Sequence, residues 1–173
     1  MHTGRYVVMG VAGAGKTVIG SRLAGTLGVE FVEGDEYHPP ANVAKMAAGI
    51  PLGDDDRAAW LAALAARIAA ARRGERGLVV AASVLKRSYR DVFRAADPAV
   101  RFILLTAPRP VIAERLEHRT GHYMPPSLLD SQLAILEPPD ADESAWVYDN
   151  ERQPDVIVAD IATRIRRGGE GKA

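Results

Sequence analysis

The chain has no cysteine among its 173 residues, which removes disulfides, thiolate catalysis and cysteine-based zinc sites together. It has no surplus of one charge either, since 22 Lys and Arg balance 22 Asp and Glu. A dedicated nucleic-acid binder needs a basic excess to hold phosphates, so no nucleic-acid partner is expected. Local basic clusters can still serve a small anion. Long apolar runs are missing as well: the longest, residues 58–71, is interrupted by Arg67 and is too short to cross a bilayer. The first residues, Met1 to Tyr6, lack the charged start, apolar middle and small-residue cleavage site of a secretory signal. No membrane partner is therefore expected, and the lack of cysteine points to a cytoplasmic location. The length suits one domain able to bury its own core.

Short apolar runs alternate with longer helical patterns, as in an α/β domain on a mostly parallel sheet with helices on both faces. Tyr6-Val7-Val8-Met9 reads as a first strand, followed by a Gly-rich turn and a helix over 16–27 that Gly28 terminates. Residues 30–33 form a second strand. Residues 34–54 are rich in Pro and Gly and read as a loop with one short helix near 42–47. The next helix places Trp60, Leu61, Leu64 and Ile68 on one face, with Asp54 and Asp55 as capping candidates and Gly74 at its end. Strands at 78–81 and 102–105 are continuous apolar runs, as expected when both faces are covered. Helices follow at 86–96, 110–119 and 126–136, then a strand at 146–148 and a last helix over 154–166. Residues 1–166 make one domain, and 167–173 read as a disordered tail.

Gly10-Val11-Ala12-Gly13-Ala14-Gly15-Lys16-Thr17 matches the P-loop pattern at every position. Glycines let successive N–H groups turn toward a phosphate, and the following helix presents its positive end. Lys16 is expected to reach the β- and γ-phosphates of ATP, and the Thr17 hydroxyl to ligate Mg²⁺. The guanine-reading Asn-Lys-x-Asp of GTPases is missing, and the chain is short for a motor ATPase. Small-molecule kinases remain.

Many P-loop enzymes close a neighbouring strand with a metal-supporting Asp. Here that strand ends in Ala81-Ala82-Ser83, so Asp35 becomes the carboxylate for both the acceptor hydroxyl and the metal. A capping Asp in a turn is the alternative. His38 and Asn42 lie in the same polar segment and can hydrogen-bond a polyol. Lys86, Arg87 and Arg90 cluster after the third strand, and with Arg57 they are candidates for a substrate carboxylate. A solvated helix face explains that cluster equally well. Arg115 and Arg119 share a helix face and lead into Thr120-Gly121-His122-Tyr123-Met124-Pro125, which reads as a lid over ATP. The alternative is a helix end whose arginines complement its negative pole.

Five blocks carry a closer resemblance over nearly the whole chain. They are residues 9–17; Gly34-Asp-Glu-Tyr-His-Pro39 with Asn42 and Lys45-Met46; Gly49-Ile-Pro-Leu52 with Asp54-Asp-Asp-Arg57 and Trp60-Leu61; residues 83–90; and His122-Tyr-Met-Pro125 with Leu128-Leu129, Ser131-Gln132 and Leu136-Glu137. Together they resemble the small P-loop gluconokinases of the thermoresistant type. The resemblance implies transfer of the γ-phosphoryl of ATP to the 6-hydroxyl of D-gluconate, with Mg²⁺. It also implies a shikimate-kinase-like fold with a five-stranded parallel sheet of order 2-3-1-4-5, a small lid over about 115–127, and commonly a homodimer. The site it implies has Lys16, Asp35 and Arg119 in catalysis, and the P-loop with Arg115 and Arg119 on phosphate. Asp35, His38, Asn42, Lys45, Arg57, Lys86, Arg90 and His122 are placed on substrate, and Thr17 and Asp35 on metal. Several positions depart from the family's usual residues: Ala12 and Ala14 stand for serines, Thr17 for a serine, Ala59 for a proline, Ala82 for a cysteine and Tyr123 for a phenylalanine. None removes a charged group with an expected role. A kinase for shikimate or another aldonate, and a non-catalytic nucleotide-binding regulator, are the rival readings.

Overall fold

In the computed structural model, residues 2–119 and 125–170 are described. The apolar runs build its centre because each must bury both of its faces. Strand β1 (Arg5–Met9) lies in the middle of a five-stranded sheet, between β3 (Leu78–Ala81) and β4 (Arg101–Thr106). Strands β2 (Glu30–Glu33) and β5 (Trp146–Asp149) form the edges. The order is β2-β3-β1-β4-β5 with every pairing parallel, as the resemblance implies.

Alternation along the strands splits the core in two. Tyr6 and Val8 of β1 join Ile103 and Leu105 on one face of the sheet. They pack there with Ile19 and Leu23 of α1 (Lys16–Leu27) and Ile157 and Ile161 of α7 (Pro154–Glu170). Val7 and Met9 face the other way with Phe102 and Leu104. They meet Trp60, Leu64 and Ile68 of α3 (Asp54–Arg73) and Phe93 of α4 (Arg87–Ala96). Each fully buried Leu or Ile in these layers contributes about 1.5–3 kcal/mol. Three further helices complete the order: α2 (Pro40–Ala47), α5 (Arg109–Glu117) and α6 (Pro126–Ile135).

Several local expectations change. Asp54 and Asp55 do not cap α3: Gly53 is the N-cap residue, and its N–H donates to Asp56 at 2.9 Å. Asp54 turns instead to Lys86 (2.8 Å) and Tyr89 (2.5 Å), which hold its carboxyl below the usual range. The segment after β2 begins with a 3₁₀ turn over Gly34–Tyr37 rather than a plain loop. Helix α7 continues to Glu170, beyond the expected end at 166.

Arg90 is also corrected. It is 0% exposed and makes a paired contact with Glu143 at 2.7 and 2.8 Å. Its Nη1 donates to the Val84 and Leu85 carbonyls. A guanidinium enclosed by a carboxylate and two carbonyls has no face left for a substrate. Its role is to tie α4 to the connection before β5.

Candidate active site

The P-loop turns between β1 and α1, and Gly15 at its end has φ 97, a left-handed conformation that suits glycine. The N–H groups that open α1 have no partner inside the helix and make its first turn an anion site. The loop's other polar groups are partly committed. Ala14 N–H donates to the Val11 carbonyl (3.1 Å), and Ala12 N–H donates to Gln132 Oε1 (2.7 Å). Expected phosphate contacts from Ala12 and Ala14 therefore compete with internal partners. Lys16 Nζ donates to the Val11 carbonyl at 3.0 Å. Burial pushes its ammonium pKa down, Asp35 and Glu33 pull it back up, and Arg119 adds to the lowering.

Across from the loop sits an acidic corner. Thr17 Oγ1 donates to Glu33 Oε2 at 2.5 Å, and the Asp35 N–H donates to Glu33 Oε1 at 3.4 Å. Glu33 was not singled out in the sequence. It ends β2 in register with Ala81 of β3, so the adjacent strand supplies the carboxylate that Ala81-Ala82-Ser83 lacks. The hydroxyl of Thr17 and the two carboxylates are hard oxygen donors of the kind Mg²⁺ takes.

The 3₁₀ turn carrying Asp35 is held by Trp60, whose Nε1 donates to the Gly34 carbonyl at 2.8 Å. His38 stacks on Trp60 with centroids 4.6 Å apart and planes 9° from parallel. Asn42 Nδ2 donates to the Asp56 carbonyl (2.7 Å) and lies 3.3 Å from His38 Nδ1. With Nδ1 as acceptor, the His38 proton resides on Nε2. Burial lowers the His38 pKa, Asp35 opposes this, and Arg57 reinforces it. The imidazole is thus held neutral at neutral pH.

A cavity of about 920 Å³ joins these parts. Lys16, Thr17, Asp35, His38, Arg57, Arg115 and Arg119 all line it. Arg57 is buried, with Nη1 donating to the Leu52 carbonyl at 2.5 Å and lying 3.4 Å from the Tyr89 hydroxyl. Arg115 is anchored through Nη2 on the Asn150 carbonyl (2.5 Å), while its Nη1 is buried without a partner among the described residues. A buried guanidinium nitrogen left open beside a phosphate cradle fits an anionic ligand.

Three expected substrate contacts do not line the cavity. Lys45 pairs with Asp56 (2.7 Å), Lys86 pairs with Asp54 (2.8 Å), and Asn42 braces His38. Their partners Asp56, Asp54 and His38 lie on or beside the segments that carry Arg57 and His38 into the cavity. His122 lies outside the described residues. Gln132 and Asn150 were not expected at the P-loop at all, and no local pattern marks a lone amide as a loop partner more than a hundred positions away.

A family model described as an AAA domain matches residues 6–139. Gluconokinase of Gluconobacter oxydans is 46% identical over 155 residues, covering 90% of this chain and 87% of the relative. Thermoresistant gluconokinase of Escherichia coli is 39% identical over 164 residues, covering 94% of each. A solved gluconokinase from Sinorhizobium meliloti superposes with a TM-score of 0.87 at 44% identity, covering 98% of this chain and 95% of the other. A solved shikimate kinase from Bacteroides thetaiotaomicron, 18% identical, has a TM-score of 0.69 with 94% of this chain and 98% of the other covered, a likeness of fold alone.

Proposed function

Because the chain belongs to the gluconokinase family of P-loop kinases, we propose that it phosphorylates the 6-hydroxyl of D-gluconate with ATP. The observation that carries this reading is the meeting, in one cavity, of a phosphate cradle, a carboxylate and a buried arginine: Lys16, Asp35 and Arg57. The polyphosphate runs along the P-loop and the α1 amino terminus. Its nucleoside end lies toward Arg152 and Pro154, its γ end toward Asp35, all of which line the cavity.

Arg57 is the one cation of the expected carboxylate clamp that lines the cavity among the described residues. It takes the gluconate carboxylate, and the neutral His38 donates from Nε2 to a chain hydroxyl. Asp35 orients the 6-hydroxyl and accepts its proton as the new P–O bond forms and the bond to ADP breaks. Lys16, Arg115 and Arg119 spread the charge that develops on the transferring phosphoryl. Positioning and electrostatics suffice, and no covalent enzyme intermediate is needed. Thr17, Glu33 and Asp35 would hold Mg²⁺, which when bound neutralises phosphate charge. A homodimer in the cytoplasm belongs to the same proposal. Among the described residues no helix is long and apolar enough to cross a membrane.

The test is ADP release with Mg-ATP against gluconate, other aldonates, shikimate and neutral sugars. Turnover confined to gluconate supports the proposal, and turnover with another acid moves the substrate but keeps the kinase. Silence across the panel with ATP bound would favour a regulatory protein.

A further inference from the structure

The P-loop meets a buried polar side chain with no part in the chemistry above. Asn150 follows β5, is 5% exposed, and bonds to three elements at once. Its backbone N–H donates to the Thr106 carbonyl at the end of β4 (2.8 Å). Its own carbonyl accepts from Arg115 Nη2 on α5 (2.5 Å), and its Nδ2 donates to the Ala14 carbonyl inside the P-loop (2.5 Å).

A phosphate cradle requires N–H groups to face the anion and carbonyls to turn away. The Ala14 carbonyl and the Gly15 N–H share one planar, trans peptide unit, so they point in opposite directions. Holding the first outward therefore aims the second inward. A Cβ at Gly15 would run into Asn150 Nδ2, so the side chain occupies the space that a bare glycine leaves. Arg115 reaches the cavity from the same anchor, with its second nitrogen open among the described residues.

We propose that Asn150 is a positioning residue for the nucleotide phosphates. Its side-chain amide orients the Ala14–Gly15 peptide, and its main-chain carbonyl aims Arg115. This rests on the nucleotide reading of the site and is independent of the acceptor.

The experiment is calorimetric binding of ADP and of adenosine, without acceptor, to the wild-type chain, Asn150→Ala and Asn150→Asp. The aspartate keeps the shape but sets an oxygen against the Ala14 carbonyl. ADP affinity should fall about tenfold or more in Asn150→Asp and about three- to tenfold in Asn150→Ala, from the loss of one buried hydrogen bond. Adenosine affinity should stay within about twofold in both, since adenosine has no phosphate to feel the cradle. Asn150→Ala carries the test if the aspartate variant does not fold. Unchanged ADP affinity in a folded variant overturns the proposal. So does an equal loss for adenosine, which would place Asn150 at the base or in the scaffold. Wild-type protein that binds no ADP would remove the nucleotide reading and this proposal together.

Discussion

Replacing Arg57 by alanine tests the acceptor end of the site. Arg57 does two jobs: Nη1 fastens the Leu52 carbonyl at 2.5 Å, and the guanidinium lines the cavity. A hydrogen bond to a charged partner contributes about 1.5–3 kcal/mol, and each 1.4 kcal/mol is tenfold in an equilibrium or rate ratio. Losing the carboxylate contact should therefore lower kcat/KM for gluconate by about 12- to 150-fold. Releasing the Leu52 carbonyl adds a loss that any acceptor, charged or neutral, would feel. The two are separated with D-glucitol, which keeps the hydroxyl chain and lacks the carboxylate. In Arg57→Ala its turnover or competitive inhibition should change less than about threefold, so selectivity for the acid collapses. Arg57→Lys keeps the charge without the planar fork and should fall between the two. ADP affinity should stay unchanged. Preserved selectivity for gluconate over glucitol in the alanine variant would refute the carboxylate assignment, and an equal loss for ADP would make Arg57 purely structural.

Asp35→Asn should lower kcat by about 10²- to 10⁴-fold, the usual worth of a positioned general base. ADP affinity measured by calorimetry should stay within about twofold, and an equal loss in both would contradict its place at the acceptor. Glu143 gives a pH prediction. Burial would raise its pKa, but Arg90, the Asp140 N–H and Arg94 win and hold it at about 2 against an ordinary 4.5. Its folded pKa is depressed, so its contribution is present above pH 4.5 and lost as the pH falls toward 2. At 1.36 kcal/mol per unit this is about 3 kcal/mol. Glu143→Gln should melt about 6–12 °C lower at pH 7 and show a shallower acid-induced decline, both read by circular dichroism. A variant that melts with the wild type would show the pair to be neutral. Gly34→Ala should cost both stability and kcat, because a Cβ there meets the Ala81 backbone carbonyl, which cannot rotate away. Normal turnover in that variant would mean that the Asp35 turn tolerates displacement.

Much of this was legible in the chain itself because it is written in local pattern. The continuous runs Val7-Val8-Met9 and Phe102-Ile103-Leu104 announce buried parallel strands, and the P-loop states its chemistry in eight consecutive residues. The acidic segment after β2 is likewise compact in sequence, so Asp35 and His38 could be located before their surroundings were known. Charged clusters were read less well. Lys86 and Arg90 look alike in sequence, yet one pairs with Asp54 near the surface and the other is sealed against Glu143, 53 positions away. The sequence holds no distance between such partners, and a guanidinium's availability depends on what has already claimed its nitrogens. The same holds for Glu33, which reaches the site only because β2 lies beside β3 in register. Gln132 and Asn150 reach the P-loop from residues 120 and 136 positions away. Backbone periodicity and Gly-rich spacing act between near neighbours and survive in one dimension. Which cation stays open to a ligand, and which amide shapes the phosphate loop, depends on packing between elements that meet only in the folded chain.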